Sequence, residues 1–296
     1  MLYMKVALDT KGTTKAKHVR ISFWSLMVGV TMSATLNGGA EDTNIPDILG
    51  IQLGIPVMEA YDRLKSYDPN LRVEVAESVF SGLGSGFIVN TLVVTRPAPP
   101  EWRDNLPAEI VTVGFTLPPN KQAVWKVARA VRFPEGGEVA KGSLVGALRQ
   151  KYGNETLLLE GGSAVKLYWI RDASGRPVDE QTARQCANFF GNEGGFQAPS
   201  LARRDIRVYA AGVENRVFFP PRQAPTPQRC QELTYILAEL RPAENPELIA
   251  QMMTVIVDAG LDARTMGATR AAVKGATEQQ EKDKLEKAQQ QEMPKL

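Results

Sequence analysis

The chain has a single histidine, and it is His18. Everything beyond residue 40 therefore lacks the side chain that ordinarily changes charge near neutral pH. That excludes Ser-His-Asp and Cys-His hydrolases and histidine-ligated zinc from the region. Cysteine is almost as scarce, with Cys186 and Cys230 alone in 296 residues, so neither a four-cysteine zinc site nor a dense disulfide framework can be built. No basic tract is present. Arg203, Arg204 and Arg207 form the densest cluster, short of the electrostatic footprint that nucleic-acid binding requires. Nor is there an apolar run long enough for a comfortable bilayer span, the longest being about 16 residues against roughly 20 needed.

What the first forty residues do contain is an ordered series. Lys5, Lys11, Lys15, Lys17 and Arg20 precede the apolar stretch Ile21–Leu36, which ends in Asn37-Gly38-Gly39-Ala40. Basic, apolar and small segments in that order make a secretory signal peptide, with cleavage expected after Ala40 and a retained anchor as the alternative. Both cysteines lie far downstream, so no lipid-attachment cysteine stands at the cleavage point. This leader holds five of the 35 basic residues and one of the 33 acidic ones. The remainder is thus slightly acidic, by about two charges. A periplasmic or secreted protein with no stable membrane span after cleavage is expected. In an oxidising compartment the even pair Cys186 and Cys230 favours a disulfide, worth roughly 4 kcal/mol for a loop of about 45 residues.

Past the leader, Asp47–Ile55 alternates apolar with small or polar residues. Pro56 then pre-sets a helical φ ahead of Val57, Ala60, Tyr61 and Leu64, spaced as one face of a helix. Strand signals follow at 71–80, 87–95, 109–117 and 123–133, with the glycine run 81–86 read as a hairpin and the proline-rich stretch 97–107 as an exposed connection around Trp102, whose indole either folds back as a lid on the sheet or contacts a partner. Arg129 interrupts an otherwise apolar face of the last of these strands. The plan then repeats: Ser143–Gly153 suits a helix, 156–159 and 164–170 suit strands, 178–190 suits a helix carrying Cys186, and strands are expected at 205–209, 215–219 and 233–240. Asn245-Pro246-Glu247 has the chemistry of a helix start, which predicts a helix through Leu248, Ile249, Met252, Met253 and Ile256. The polar stretch 277–291 suits a solvated helix.

These elements predict an α+β fold in two lobes, each a short strand-helix unit followed by an antiparallel sheet, with a C-terminal helix added. The expected organisation is a signal peptide at 1–40, lobes at 41–136 and 137–245, the second carrying the disulfide, and the C-terminal helix and polar tail at 246–296.

Chemistry is thinly represented. Ser163-Ala164-Val165-Lys166 matches S-x-x-K, yet it enters a strand and lacks the S-D-N and K-T-G partners of that machinery. Asp104 with Glu109, or Asp179 with Glu180, supply carboxylates, and Asp172-Ala173-Ser174-Gly175 lacks the spacing of a calcium loop. No metal or other cofactor is expected.

The pattern Ile51-Gln52-Leu53-Gly54-Ile55-Pro56 with Ala60 and Leu64, followed later by Ala147–Gly153, resembles uncharacterised exported bacterial proteins. More distantly it resembles the helix-plus-sheet modules of the β-lactamase-inhibitor-protein and outer-membrane-assembly lipoprotein type, although the lipoprotein cysteine is missing. The resemblance implies action by protein contact. The expectation is a soluble, non-enzymatic binding or envelope-associated interaction protein whose partner is an unknown protein or envelope component, with Trp102 and Arg103 as the contact residues. The alternative is a hydrolase of unrecognised type using carboxylates or a Ser-Lys pair.

Overall fold

The computed structural model describes residues 46–69, 71–78, 80, 88–102, 106–161, 164–192 and 228–290. All of them belong to one compact unit, Ile45–Leu296. The expected leader, the glycine run 81–86 and the strands expected at 205–209 and 215–219 lie outside the described residues.

The unit opens with a small hairpin, β1 (Asp47–Ile48) and β2 (Ile51–Gln52), where one extended strand was expected from the alternation. Leu49 and Gly50 turn the chain, both with positive φ, at 57° and 75°. Two successive left-handed residues match the right-handed twist of a tight hairpin, and Gly50 adopts that conformation without steric cost. Pro56 then caps α1 (Val57–Tyr67), with Ala60 and Leu64 on its buried side.

Four antiparallel strands follow as a meander: β3 (Arg72–Ser78), β4 (Ile88–Arg96), β5 (Glu109–Phe115) and β6 (Val124–Arg132). After β7 (Val139–Ala140) the second half follows the same order. Helix α2 (Lys141–Tyr152) ends at Gly153, whose φ of 83° is one that glycine adopts without steric cost. The strands β8 (Leu157–Gly161), β9 (Ala164–Arg171), β10 (Thr234–Pro242) and β11 (Leu248–Asp258) then form a second meander. Helix α3 (Glu180–Asn192) is inserted between β9 and β10, and α4 (Ala259–Gln290) closes the chain. The architecture is α+β with antiparallel pairing throughout.

The two meanders meet edge to edge. β6 pairs with β11, so the strand order 3-4-5-6-11-10-9-8 is that of two four-stranded sheets joined at their last strands. Ala60 and Leu64 of α1 and Leu148 and Tyr152 of α2 share a cluster with Leu92, Val111, Val127, Trp169 and Ile256. Both helices therefore cover the same face, and burying this apolar layer is the main favourable term holding the halves together.

On the opposite face, Ala183, Cys186 and Ala187 of α3 pack with Cys230 and Leu233 over Tyr168, Ile170, Tyr235 and Val255. Cys186 and Cys230 form the disulfide, with Cα atoms 5.4 Å apart, and both are fully buried. Cys230 sits in a 3-10 turn, Gln228–Glu232, just ahead of the strand it was expected to open.

The C-terminal expectation needs correction. Residues 248–258 are strand β11, and the helix expected from residue 246 begins at Ala259. Asn245 Oδ1 accepts from the Glu247 amide at 3.0 Å, and the Asn245 carbonyl accepts from the Leu248 amide at 3.0 Å, which turns the β10–β11 hairpin. An asparagine that can cap a helix makes a turn by the same hydrogen bond, and the β-branched run Thr254-Val255-Ile256-Val257 favours the strand. The true cap is Asp258, whose Oδ1 accepts from the Leu261 amide at 2.7 Å.

Candidate functional site

The connection between β4 and β5 leaves the sheet at Arg96 and returns where the Ala108 amide donates to the Arg96 carbonyl at 3.0 Å. Prolines within it stiffen the backbone, and the Trp102 amide donates to the Pro99 carbonyl at 3.0 Å, turning the indole back toward the sheet. There the Arg132 guanidinium lies 4.4 Å from the ring centroid. Such a cation–π contact is worth about 0.5–1 kcal/mol at an exposed site, and it fixes the orientation of a half-buried ring. Arg103, expected to act beside Trp102, lies outside the described residues. Arg132, thirty positions away in sequence, is the arginine that meets the indole.

A second constellation forms where α1 ends. Glu109 of β5 is 5% exposed, and its carboxylate lies between Arg129 Nε at 2.7 Å and Arg96 Nε at 3.1 Å. The Tyr67 hydroxyl donates to Glu109 Oε1 at 3.4 Å and accepts from Arg129 at 3.2 Å, while Arg96 also reaches Asp68 at 3.2 Å. Both guanidiniums stand just under 6 Å from the Tyr67 ring centroid. Two acids and two arginines balance. The arginine that interrupts an apolar face in the sequence is thus anchored by a carboxylate diagonal to it on the neighbouring strand. Tyr152, at the end of α2, donates its hydroxyl to the Asp47 carbonyl at 2.9 Å. Burial first, and then the Asp47 charge, push its ionisation well above the ordinary tyrosine range, so it serves as a donor at neutral pH.

The carboxylates considered for acid-base work are engaged elsewhere. Glu109 is pinned between arginines, and Asp179 caps α3 by accepting from the Thr182 amide at 2.8 Å. Glu180 pairs with Arg184 at 2.6 Å, one helical turn on. Asp104 and Ser163 lie outside the described residues, and Lys166 Nζ faces Glu239 at 3.7 Å. Among the described residues no cluster of three or more His, Cys, Asp or Glu could hold a metal, and no helix is long and apolar enough to cross a membrane. A shallow cleft of about 470 Å³ near the disulfide is lined by Gln231, Glu232, Gly260, Ala263 and Arg264, a lining with one carboxylate, one guanidinium and no nucleophile.

Sequence reasoning noticed Arg129 but not the partners that gather around it. Its nearest signal was a charged residue at the first position of the preceding strand. No protein-family model, curated protein or solved structure matches the chain.

Proposed function

We propose that the chain is an exported, non-enzymatic binding protein that contacts a protein or another envelope component through the Trp102 end of its sheet. The observation that carries this reading is the Trp102–Arg132 pair: an aromatic ring held on a proline-stiffened connection, backed by a guanidinium and half-buried. Tryptophan and arginine are the residues that most often dominate interface energetics, and a pre-ordered loop lowers the entropy lost on association. The resemblance to helix-plus-sheet modules that act by protein contact supports the same class. Export is supported by the ordered leader segments and by a fully buried disulfide, the kind of crosslink that persists in oxidising compartments.

Affinity capture from envelope extract with the wild type and with Trp102→Ala tests this reading. The wild type is expected to retain a partner that Trp102→Ala loses while keeping the thermal transition of the wild type. Equal retention by both would remove Trp102 from the interface, and absence of any partner would remove the binding class. N-terminal sequencing of the exported protein is expected to begin at Glu41. A chain that still begins at Met1 would overturn the processing step.

A further inference from the structure

The row that begins at Arg132, the partner of Trp102, continues across the sheet into charges that the Trp102 contact does not use. Strand register sets Arg132, Gln251 and Arg241 side by side on β6, β11 and β10, and the neighbouring row brings Glu239 opposite Lys166 of β9. Paired residues share a face and the side-chain period is two, so these five side chains project on the same side as Ala130 and Met253. That is the side away from α1 and α2.

Glu239 is sunk, with its side chain 12% exposed, whereas Lys166 and Arg241 stand out at 40% and 51%. Arg241 meets Glu239 through Nε alone, at 2.8 Å, and Lys166 Nζ lies 3.7 Å from the other carboxylate oxygen. One carboxylate therefore serves two cations. The terminal nitrogens of Arg241 have no partner among the described residues. With Nε already held, the guanidinium is oriented before any ligand arrives, and its planar terminal nitrogens match the geometry of a carboxylate.

We propose that this row docks an acidic segment of a protein partner. A Glu or Asp side chain is received on the terminal nitrogens of Arg241 with Lys166 Nζ beside it, and the partner chain continues along the row toward Trp102. The proposal rests on the binding reading above and gives that partner a chemistry. A nucleic-acid strand fits less well, because Lys166, Arg241 and Glu239 together carry only one excess positive charge. A continuous phosphate backbone needs several cations, while an isolated carboxylate needs one.

The test uses the exported chain and a fluorescent peptide of alternating Glu and Gly, with a Lys-Gly peptide and a single-stranded oligonucleotide as comparison probes, read by fluorescence anisotropy. The Glu-Gly peptide is expected to bind and to weaken as salt rises from about 0.05 to about 0.3 M. Binding is expected to fall about tenfold in Lys166→Gln/Arg241→Gln and to stay unchanged in Lys151→Gln, an exposed cation paired with Asp47 instead. The single variants each leave Glu239 one partner and carry the same test if the double variant loses its thermal transition. Arg241→Lys, which keeps charge but loses the planar fork, is expected to fall between wild type and Arg241→Gln.

Failure of the Glu-Gly peptide to bind, equal binding by the double variant, or tighter binding of the oligonucleotide overturns the proposal. Trp102-dependent capture that survives in the double variant overturns the acidic dock while sparing the binding class. Loss of all capture by the wild type takes down both.

Discussion

The two halves of the molecule follow one plan and are held by different chemistry. Each is a helix followed by a four-stranded meander, and each helix ends in a tyrosine, Tyr67 in α1 and Tyr152 in α2. In the first half Tyr67 joins a charge network around buried Glu109. Tyr152 instead packs against Trp169, ring centroids 5.4 Å apart, and bonds a backbone carbonyl. Beyond the helices, the second half adds α3 and a buried disulfide on its other face. Topology thus constrains where a helix lies, but it leaves open whether ions, rings or a covalent bond secure it.

The largest expected difference between the halves comes from the crosslink. Cys186→Ser/Cys230→Ser is expected to lose roughly 4 kcal/mol in the chain-entropy account, read as a lowered denaturation midpoint. Hydrogen exchange would sharpen the comparison. Protection is expected to fall first in α3, β8 and β9, with β4 and β5 keeping theirs until global unfolding. Uniform loss across all nine strands of the sheet would show that the halves unfold as one unit.

In the first half, Glu109→Gln removes the charge that Arg96 and Arg129 share, and a cost of about 3 kcal/mol is expected because two guanidiniums are left facing a neutral group. The discount for exposure is modest for Arg129, whose side chain is 25% exposed, and larger for Arg96 at 42%. Replacing Arg129 together with the carboxylate, as in Glu109→Leu/Arg129→Met, is expected to cost less than Glu109→Gln alone, since Arg129 is no longer stranded and Arg96 keeps Asp68 at 3.2 Å. A double variant worse than the single would mean that the network is needed for register as well as charge balance.

Much of this organisation was legible in the chain. The α1 stripe, the strand signals from residue 71 to residue 133, α2 and the cysteine pair follow from local periodicity and composition, and the structure places them where those signals lie. Two kinds of feature were not legible, a locally ambiguous turn and contacts made over long range. Asn245-Pro246-Glu247 carries the same donor and acceptor groups at a hairpin turn as at a helix start, so only cross-strand pairing of 248–258 decides between them. The Glu109 network depends on long-range contacts, from Tyr67 to Arg129 and from Arg96 to Glu109, which no local spacing encodes. The same holds for Trp102 and Arg132, and for the row of Lys166, Glu239 and Arg241, which exists only through strand register.

The caps give a smaller contrast. Asp258→Ala removes the acceptor for the Leu261 amide at the start of α4 and is expected to cost about 1 kcal/mol. Since the buried side of α4 includes Ala259, Met266, Thr269 and Val273, the loss is expected to appear as fraying of the first turn while the rest of the helix stays docked. Loss of the Thr269 contact to the Pro118 carbonyl, 2.7 Å in the native chain, would instead mean that the cap positions the whole helix.

The smallest expected effect lies in the β9–α3 turn. Asp172 Oδ1 accepts from the Ser174 hydroxyl at 2.6 Å and from the amides of Ser174 and Arg176 at 2.8 and 3.0 Å, and Gly175 takes φ of 82° to let the chain return. The Ser174 hydroxyl bond is the main cause holding the Asp172 carboxyl down at about 2, with the two amides and the Arg176 charge adding to it. A depressed carboxyl favours the folded turn when ionised, so its contribution is fully present above the unfolded value of about 3.9 and is lost as pH falls through about 2. All of its partners lie within the turn itself, so the consequence is local. A carboxyl-detected NMR titration is expected to give Asp172 a midpoint near 2, and Ser174→Ala is expected to raise it, with little change in the thermal transition at neutral pH. An Asp172 midpoint near 3.9 in the wild type would show that the turn opens in solution, and α3 would then depend on its disulfide and on the Asp179 cap to stay against the sheet.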